Sequence, residues 1–466
     1  MTPLAFKTRH AATDHKLIGR NAIVVGAGIA GLATAGALAG RFERVTVLER
    51  DTLPDAAAFR AGTPQARHAH GLLVGGQLAL GELFPGLNKD FVRAGGVPIR
   101  FNQDFREELP NRDPMPQRDF GRIGYTMTRP LMEFVVRQRL SRSTNVRFRH
   151  GTRVLDILAE PNGQRVTGVR CTTVEDDGSE TLAADLVVDA SGRGQLTAGL
   201  LQSIERPLPQ ETTIGIDLRY TTAIMDIPDD APPDWKVLLT HNHAPRCGRR
   251  GLILPIEGHR WIMSVSGVGG DRPPRTWDEL LAYLQQLMTP TIYQAVRNAK
   301  PIADLVQFGF PKSVWRHFES IKSFPDGLIP IGDAICRFNP VYGQGMTVAA
   351  REAILLSDLL AARATERDPL AGLGPLFLAE AKPLIETPWT MAALPDLAFP
   401  SARGDRPADL EHTLQFTAAL SRLAARDEAV QRLLVEVWNM IEPRSVLHDP
   451  KLVRRVEAEM AETVCA

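Results

Sequence analysis

Residues 21–40 read NAIVVGAGIAGLATAGALAG, twenty residues without one charge, and three architectures compete for them. The length suits a membrane span. The glycines suit either a nicotinamide or a flavin dinucleotide site. Gly26, Gly28, Gly31 and Gly36 crowd the segment, and the Gly26-Ala27-Gly28 step is a poor helix former. The first half, Ala22-Ile23-Val24-Val25, is β-branched and predicts a buried parallel strand; from Ile29 onward Ala and Leu predict a helix. A strand, a tight turn and a helix fit the stretch better than one continuous span, and no second long apolar run follows it.

The turn spells G-x-G-x-x-G. Gly26 permits the sharp strand-to-helix turn, Gly28 lets the backbone approach a pyrophosphate, and Gly31 lets the helix pack closely on the strand. The helix start then offers free N–H groups and a partial positive charge to the diphosphate. Arg44-Val45-Thr46-Val47-Leu48 predicts the next parallel strand, ending at Glu49. An acid about 20 residues past the glycines is placed to hold the adenosine ribose hydroxyls, and a carboxylate there disfavours a 2′-phosphate. A dinucleotide site is predicted; either cofactor still fits.

A distant stretch decides between them: GLIPIGDAICRFNPVYGQGMTVAAREAILLSDLLAARA, residues 327–364. It predicts a short buried strand, Gly332-Asp333 at its end, a Pro-bearing loop to Gly343-Gln344-Gly345, and a long helix with apolar residues at helical spacing. A nicotinamide domain has no need of this second element. In a flavin protein Asp333 can accept a hydrogen bond from a ribityl hydroxyl, and the Gly345-Met346 N–H groups can face the edge of the ring where negative charge gathers on reduction.

The pair GxGxxG plus G-D-A…P-x-x-G-Q-G resembles the FAD-dependent aromatic hydroxylases and epoxidases typified by para-hydroxybenzoate hydroxylase. It lies nearest the squalene-epoxidase-like and polyether-epoxidase-like monooxygenases. GTPQARHAHGLLVGGQLALGELFPGL (62–87), ADLVVDASGRG (184–194) and FNPVYGQGM (338–346) are similar to segments of that branch, and PWTMAALPDLAFP (388–400) matches less firmly. The likeness spans roughly residues 20–362.

The resemblance implies an α/β, glutathione-reductase-like fold. Residues 20–95, 127–200 and 320–364 would form a discontinuous Rossmann-like FAD-binding domain. Residues 96–126 and 203–319 would form a substrate domain on one antiparallel β-sheet, with a single helix at RTWDELLAYLQQLM. A helical C-terminal region, 366–466, would follow a Pro-rich connector and include two amphipathic helices over 410–443. The polar residues 1–19 are expected to be a flexible leader. Residues 145–176 predict a β-meander, and 96–126 an excursion near the substrate or a mobile loop.

The resemblance also implies FAD contacts at Gly26, Ala27, Gly28, Ile29 and Gly31, at Glu49 and Arg50, and at Asp333, Gly343, Gly345 and Met346. Arg67 and Arg129 would reach the flavin or its diphosphate, and the Val154 backbone the adenine. No catalytic side chain is singled out. The implied activity is insertion of one atom of O2 into a small hydrophobic substrate, by epoxidation or hydroxylation, through a flavin C4a-hydroperoxide. Asp189-Ala190-Ser191-Gly192-Arg193 departs from the family's D-G motif, which leaves NAD(P)H or a separate flavin reductase as the source of electrons. Two other readings stand beside this one: a reductase or dehydrogenase of a prenyl-like substrate, and a non-catalytic flavin-binding sensor. The W-x-W-x-I-P signature of flavin halogenases is absent.

Charge argues against other partners. Lys plus Arg and Asp plus Glu both number 54, so no net field favours nucleic acid, and membrane association is expected to be weak at most. Cys171, Cys247, Cys336 and Cys465 form no CxxC pair, which fits a reducing cytoplasm. His68 and His70, and His241 and His243, lack a third ligand pattern, so no metal is expected.

Overall fold

The computed structural model describes residues 16–173 and 176–464, so most of the expected leader lies outside the described residues. Five strands stand side by side in the order Leu328–Pro330, Leu186–Asp189, Gly19–Val25, Phe42–Leu48 and Val146–Arg149, every neighbour parallel. Ala22 to Val25 and Leu186 to Asp189 are all buried, as expected for strands covered on both faces. The helices Ile29–Ala39 and Gly345–Arg363, which open from the two glycine motifs, pack against each other.

The expected meander divides differently. Val146–Arg149 closes the edge of the parallel sheet, and the chain then turns at His150-Gly151, where Gly151 has φ +63. Only Thr152–Ala159, Val166–Thr173 and Asp176–Ala183 form the three-stranded antiparallel unit.

The second large sheet has seven strands, ordered Cys336–Arg337, Val306–Arg316, Glu211–Asp226, Arg260–Gly267, Arg250–Ile256, Val237–Thr240 and Phe105–Glu108. It is antiparallel except for its last pair, which is parallel, and it reaches beyond residues 203–320 at both edges. Residues 96–126 are more than a loop. They supply the Phe105–Glu108 edge strand and a two-stranded ribbon of Val97–Arg100 with Ile123–Thr126.

Strand alternation gives this sheet two unlike faces. Ala223, Met225, Ile253, Met263 and Val265 pack beneath the helices Trp277–Leu284 and Thr291–Val296, the second of which was not expected. The other face carries the cross-strand row Phe308, Tyr220, Ser266 and Arg250.

The Pro-rich connector is instead a 25-residue helix, Leu373–Leu397, that contains Pro383, Pro388 and Pro395. Phe377, Ala381, Ile385, Trp389, Ala393 and Leu397 recur every four residues and are all buried, so packing offsets the lost backbone bonds. The helices Leu410–Arg426 and Glu428–Trp438 follow as expected, then Pro450–Val464. Among the described residues no helix is long and apolar enough to cross a membrane.

Candidate functional site

Gly26 has φ +107, and a Cβ there would lie 2.6 Å from the Ala190 carbonyl oxygen; a Cβ on Gly31 would lie 1.9 Å from the Gly26 carbonyl oxygen. Gly28 differs. The atom nearest to a Cβ there is Arg129 Nη2 at 3.6 Å, so the turn is open on that side. Gly28 is also the N-cap of the helix that starts at the buried Ile29, with no side-chain cap on its first N–H groups.

Behind the turn runs a buried ladder of charge. Glu49 accepts the Ala27 N–H at 2.9 Å and the Asp51 N–H at 3.1 Å, and pairs with Arg60 at 2.9 Å. Arg60 bridges on to Glu133 at 2.8 Å, and Glu133 holds Arg129 at 2.8 Å. Burial pushes the Glu133 carboxyl up, but the Arg129 and Arg60 charges outweigh it and leave it below the usual range. The helix Arg129–Leu140 places Arg129 and Glu133 one turn apart, opened by Thr128 as N-cap and Pro130 in its first turn.

His70 completes the ladder. Its Nδ1 lies 2.9 Å from the His68 carbonyl oxygen, so it donates there, and Nε2 accepts from Arg129 Nη1 at 3.4 Å. Burial, then the Arg129 charge, push its pKa down to about 3, so the ring stays neutral. Arg60, Glu133 and the role of His70 were missed in the sequence, where only the i,i+4 spacing of Arg129 and Glu133 was visible.

The second motif closes on the same place. A Cβ on Gly345 would lie 3.6 Å from Asp333 Oδ1, so the carboxylate stands at the start of the Gly345–Arg363 helix. Burial raises the Asp333 pKa against the pull of Arg129, Arg337 and Arg316. Gly343, at φ +67, ends the Pro340–Tyr342 turn, and Gln344 caps the helix without a side-chain bond. Arg129 joins the halves: its guanidinium lies against Gly28 and its charge reaches Asp333.

Other expected contacts lie further out. Arg50 turns its largely exposed side chain toward the Gly62 carbonyl, and Arg67 is exposed with its guanidinium 4.8 Å from the Phe59 ring centre. Val154 is partly buried on the strand that leaves Glu49, whose carbonyl accepts the Thr152 N–H at 2.9 Å. Met346 packs partly buried against the main core.

The other face of the seven-stranded sheet shares its electrostatic neighbours with Asp333, since Arg129 and Arg337 act on both Asp333 and Tyr220. Leu218, Tyr220 and Phe310 form a buried apolar cluster with Phe399, flanked by Phe308 and Val341. His68 stacks edge-on to Tyr220, ring centres 4.5 Å apart, with Nδ1 2.8 Å from Thr222 Oγ1. Burial and then the Arg67 charge push His68 down to about 4, and burial raises Tyr220, so both are neutral at pH 7. His68 and His70 point to different partners, and among the described residues no group of three or more His, Cys, Asp or Glu could hold a metal ion.

Asp396, at the end of the proline-bearing helix, binds the loop beside this seam. It accepts from Asn339 Nδ2 at 2.9 Å and from the Tyr342 hydroxyl at 2.9 Å. Asp189, of the D-A-S-G-R segment, is consumed locally. It accepts from the Ser191 and Thr197 backbones and hydroxyls at 2.6–3.1 Å.

An open glycine turn on a helix start, an acid at the second strand, a cation between them and a second strand–Gly-Asp–helix element together define a flavin dinucleotide fold. The donor set fits FAD: N–H groups and Arg129 for the diphosphate, and carboxylates for the sugar and ribityl hydroxyls. Comparison with known proteins agrees. Residues 21–127 match the FAD dependent oxidoreductase family and residues 252–370 the squalene epoxidase family. The chain belongs to the FAD-dependent monooxygenase superfamily.

Protein Rv3254 of Mycobacterium tuberculosis is 33% identical over 401 residues, 83% of this chain and 82% of that protein. Squalene epoxidase 3 of Arabidopsis thaliana is 26% identical over 79% of this chain and 66% of its own length. The chain spans only 54% of the mouse squalene monooxygenase. Among solved structures, the flavin-dependent brominase Bmp2 superposes with a TM-score of 0.65 at 15% identity, covering 96% of this chain and all of that one. PqsL of Pseudomonas aeruginosa, a probable FAD-dependent monooxygenase, gives 0.57 at 18% identity, covering 82% of this chain and 98% of its own. At such identities these two likenesses speak for the fold alone.

Proposed function

We propose that this enzyme transfers one oxygen atom from O2 to a hydrophobic small molecule held between the aromatic face of the seven-stranded sheet and the Asp333–Gly345 loop. The observation that carries this reading is that face: Leu218, Tyr220, Phe308 and Phe310 cluster on it, and the charges of Arg129 and Arg337 act on both Tyr220 and Asp333. FAD, reduced by NAD(P)H or by a separate flavin reductase, supplies the two electrons that split O2 between the product and water.

The chain's own residues divide the remaining work. Gly28, the Ile29 helix start and Arg129 bind the diphosphate, and Glu49 the ribose. Asp333 orients the ribityl chain, and the Gly345-Met346 N–H groups stabilise negative charge at the ring edge. The aromatic cluster excludes water from the seam. Burial lowers His68 to about 4 and keeps Tyr220 protonated, so neither is a strong base for a phenol proton. That favours an alkene, whose epoxidation needs no base, over a phenol.

The test is incubation of the holoenzyme with NAD(P)H, or with a flavin reductase and NADH, under 18O2, using unsaturated hydrocarbons and unsaturated long-chain acids as probes. The expected product is 18 mass units heavier than its parent, with one labelled atom. Hydrogenated products without label would overturn the reading in favour of a reductase.

A further inference from the structure

The two faces of the seven-stranded sheet are sealed to different degrees. On the face beneath the helices Trp277–Leu284 and Thr291–Val296, Leu238, Ile253 and Met263 are at most 1% exposed. On the seam face one register row behaves otherwise. Glu107 stands beside Leu239, Leu239 beside Leu252, and Leu252 beside Ser264. Pleating sends these four neighbours to one face, and all four stay partly exposed. The row floors a groove that starts near Thr222, which bonds both Ser264 and His68. From the Thr222 strand to the Glu107 strand there are four strand spacings, about 19 Å.

The floor is apolar in its middle and charged at its far end. Glu107 Oε1 lies 2.8 Å from His241 Nε2, and among the described residues no hydrogen bond reaches Oε2. The side chain is 38% exposed, so a bound molecule can reach that free oxygen. Burial pushes the Glu107 carboxyl up, but the His241 bond and the charges of Arg112 and Arg250 outweigh it and leave it below the usual range. Arg250 is itself committed, since it lies 5.7 Å from the Tyr342 ring centre and the charges of Asp396 and Glu107 act on it. Burial raises Asp396 to about 6, so it is largely ionised at pH 7. Two carboxylates thus stand against two guanidinium groups, which leaves this end without a surplus charge to attract an ion. A free acceptor oxygen in a balanced setting is complementary to a neutral donor.

We propose that Glu107, held by His241, is a subsite for a hydroxyl group, and that the molecule bound in the seam is an elongated apolar alcohol. The proposal rests on the oxygen-transfer reading of the seam and adds the far end of its substrate. His241 fixes the carboxylate through Oε1, and Oε2 accepts the hydroxyl proton in a charge-assisted bond. Leu239 and Leu252 carry the apolar chain from there towards Ser264 and Tyr220.

The test uses oxidised, FAD-loaded protein in equilibrium dialysis with three probes of one chain length: 11-dodecen-1-ol, 12-fluoro-1-dodecene and 11-dodecenoate. Fluorine fills the place of the hydroxyl without donating. The alcohol should bind ten-fold or more tightly than the fluoride, and more tightly than the acid. E107A should bring the alcohol-to-fluoride ratio to about one while the fluoride still binds. E107Q, which keeps a neutral acceptor, should retain part of the ratio. Flavin absorbance of each variant reports retained cofactor, and the wild-type ratio is read without any variant. The proposal is overturned if the alcohol does not bind, if it binds no tighter than the fluoride, or if the acid binds tighter than the alcohol. It is equally overturned if E107A keeps the preference. Because nothing is turned over, failure here leaves the oxygen-transfer reading standing, and failure of 18O incorporation leaves the binding result standing.

Discussion

Glu352 is fully buried on the helix that opens at Gly345; one oxygen accepts the Gly332 N–H at 2.7 Å and the other has no partner. Burial, against that bond and with the Asp333 charge adding to it, raises its pKa to about 8. The unfolded carboxyl titrates near 4.5, so between about pH 4.5 and 8 the unfolded state binds fewer protons and stability falls as pH rises. Glu352→Gln removes this term. The melting temperature of the variant minus that of the wild type should therefore climb from pH 5 to pH 8 and level off above; a flat difference across that range would place the proton elsewhere.

Gly31 gives a sharper residue-level test. A Cβ 1.9 Å from the Gly26 carbonyl cannot be absorbed by a flexible side chain. Gly31→Val should leave the purified protein without bound FAD, read from its visible absorbance. The GxGxxG geometry was legible in the sequence because Gly26 and Gly31 answer local steric demands and Gly28 leaves the turn open. The ladder behind it was not. Arg60 meets Glu133 across 73 residues and Glu49 across 11, and long-range ion pairs leave no periodic signal.

At the scale of elements, the helix Leu373–Leu397 holds the loop that shapes the flavin-proximal end. Its three prolines argued for a connector, yet a four-residue stripe of buried side chains carries it through. Propensity is a local quantity, and packing overrode it. Asp396→Ala should orphan Asn339 Nδ2 and the Tyr342 hydroxyl and cost about 1–3 kcal/mol for each group left buried. Chemical denaturation should show that loss, and FAD should dissociate faster because the same loop leads to Gly343 and Gly345. An unchanged off-rate would mean that the loop holds its shape without Asp396.

The same scale explains the enlarged sheet. Phe105–Glu108 and Cys336–Arg337 are four and two residues long, too short for alternation to be read, and they form only because an edge is waiting to be paired. His70 belongs here as well, since it ties the His68 segment to the Arg129 helix while neutral. FAD affinity should show no titration step near pH 6.5, and His70→Ala should weaken FAD binding without introducing one. Fluorescence titration between pH 5.5 and 8 decides this.

For the molecule as a whole, two chemistries meet at one seam. One wall is a cradle of backbone N–H groups, carboxylates and Arg129. The other is an aromatic sheet face whose Tyr220 and His68 are kept neutral by burial. The two glycine motifs, some 300 residues apart, were legible because each opens a helix after a buried strand. The wall opposite it emerged only when strands from across the chain were set in register, which no spacing in the sequence encodes.

Oxygen activation in this seam is open to direct observation. Reducing the holoenzyme under anaerobic conditions, then mixing it rapidly with O2 with and without an unsaturated hydrocarbon probe, follows the flavin spectrum through reoxidation. A transient absorbance band distinct from both oxidised and reduced flavin is expected before the oxidised spectrum returns. Direct return to the oxidised spectrum, with bound ligand and no intermediate band, would contradict it.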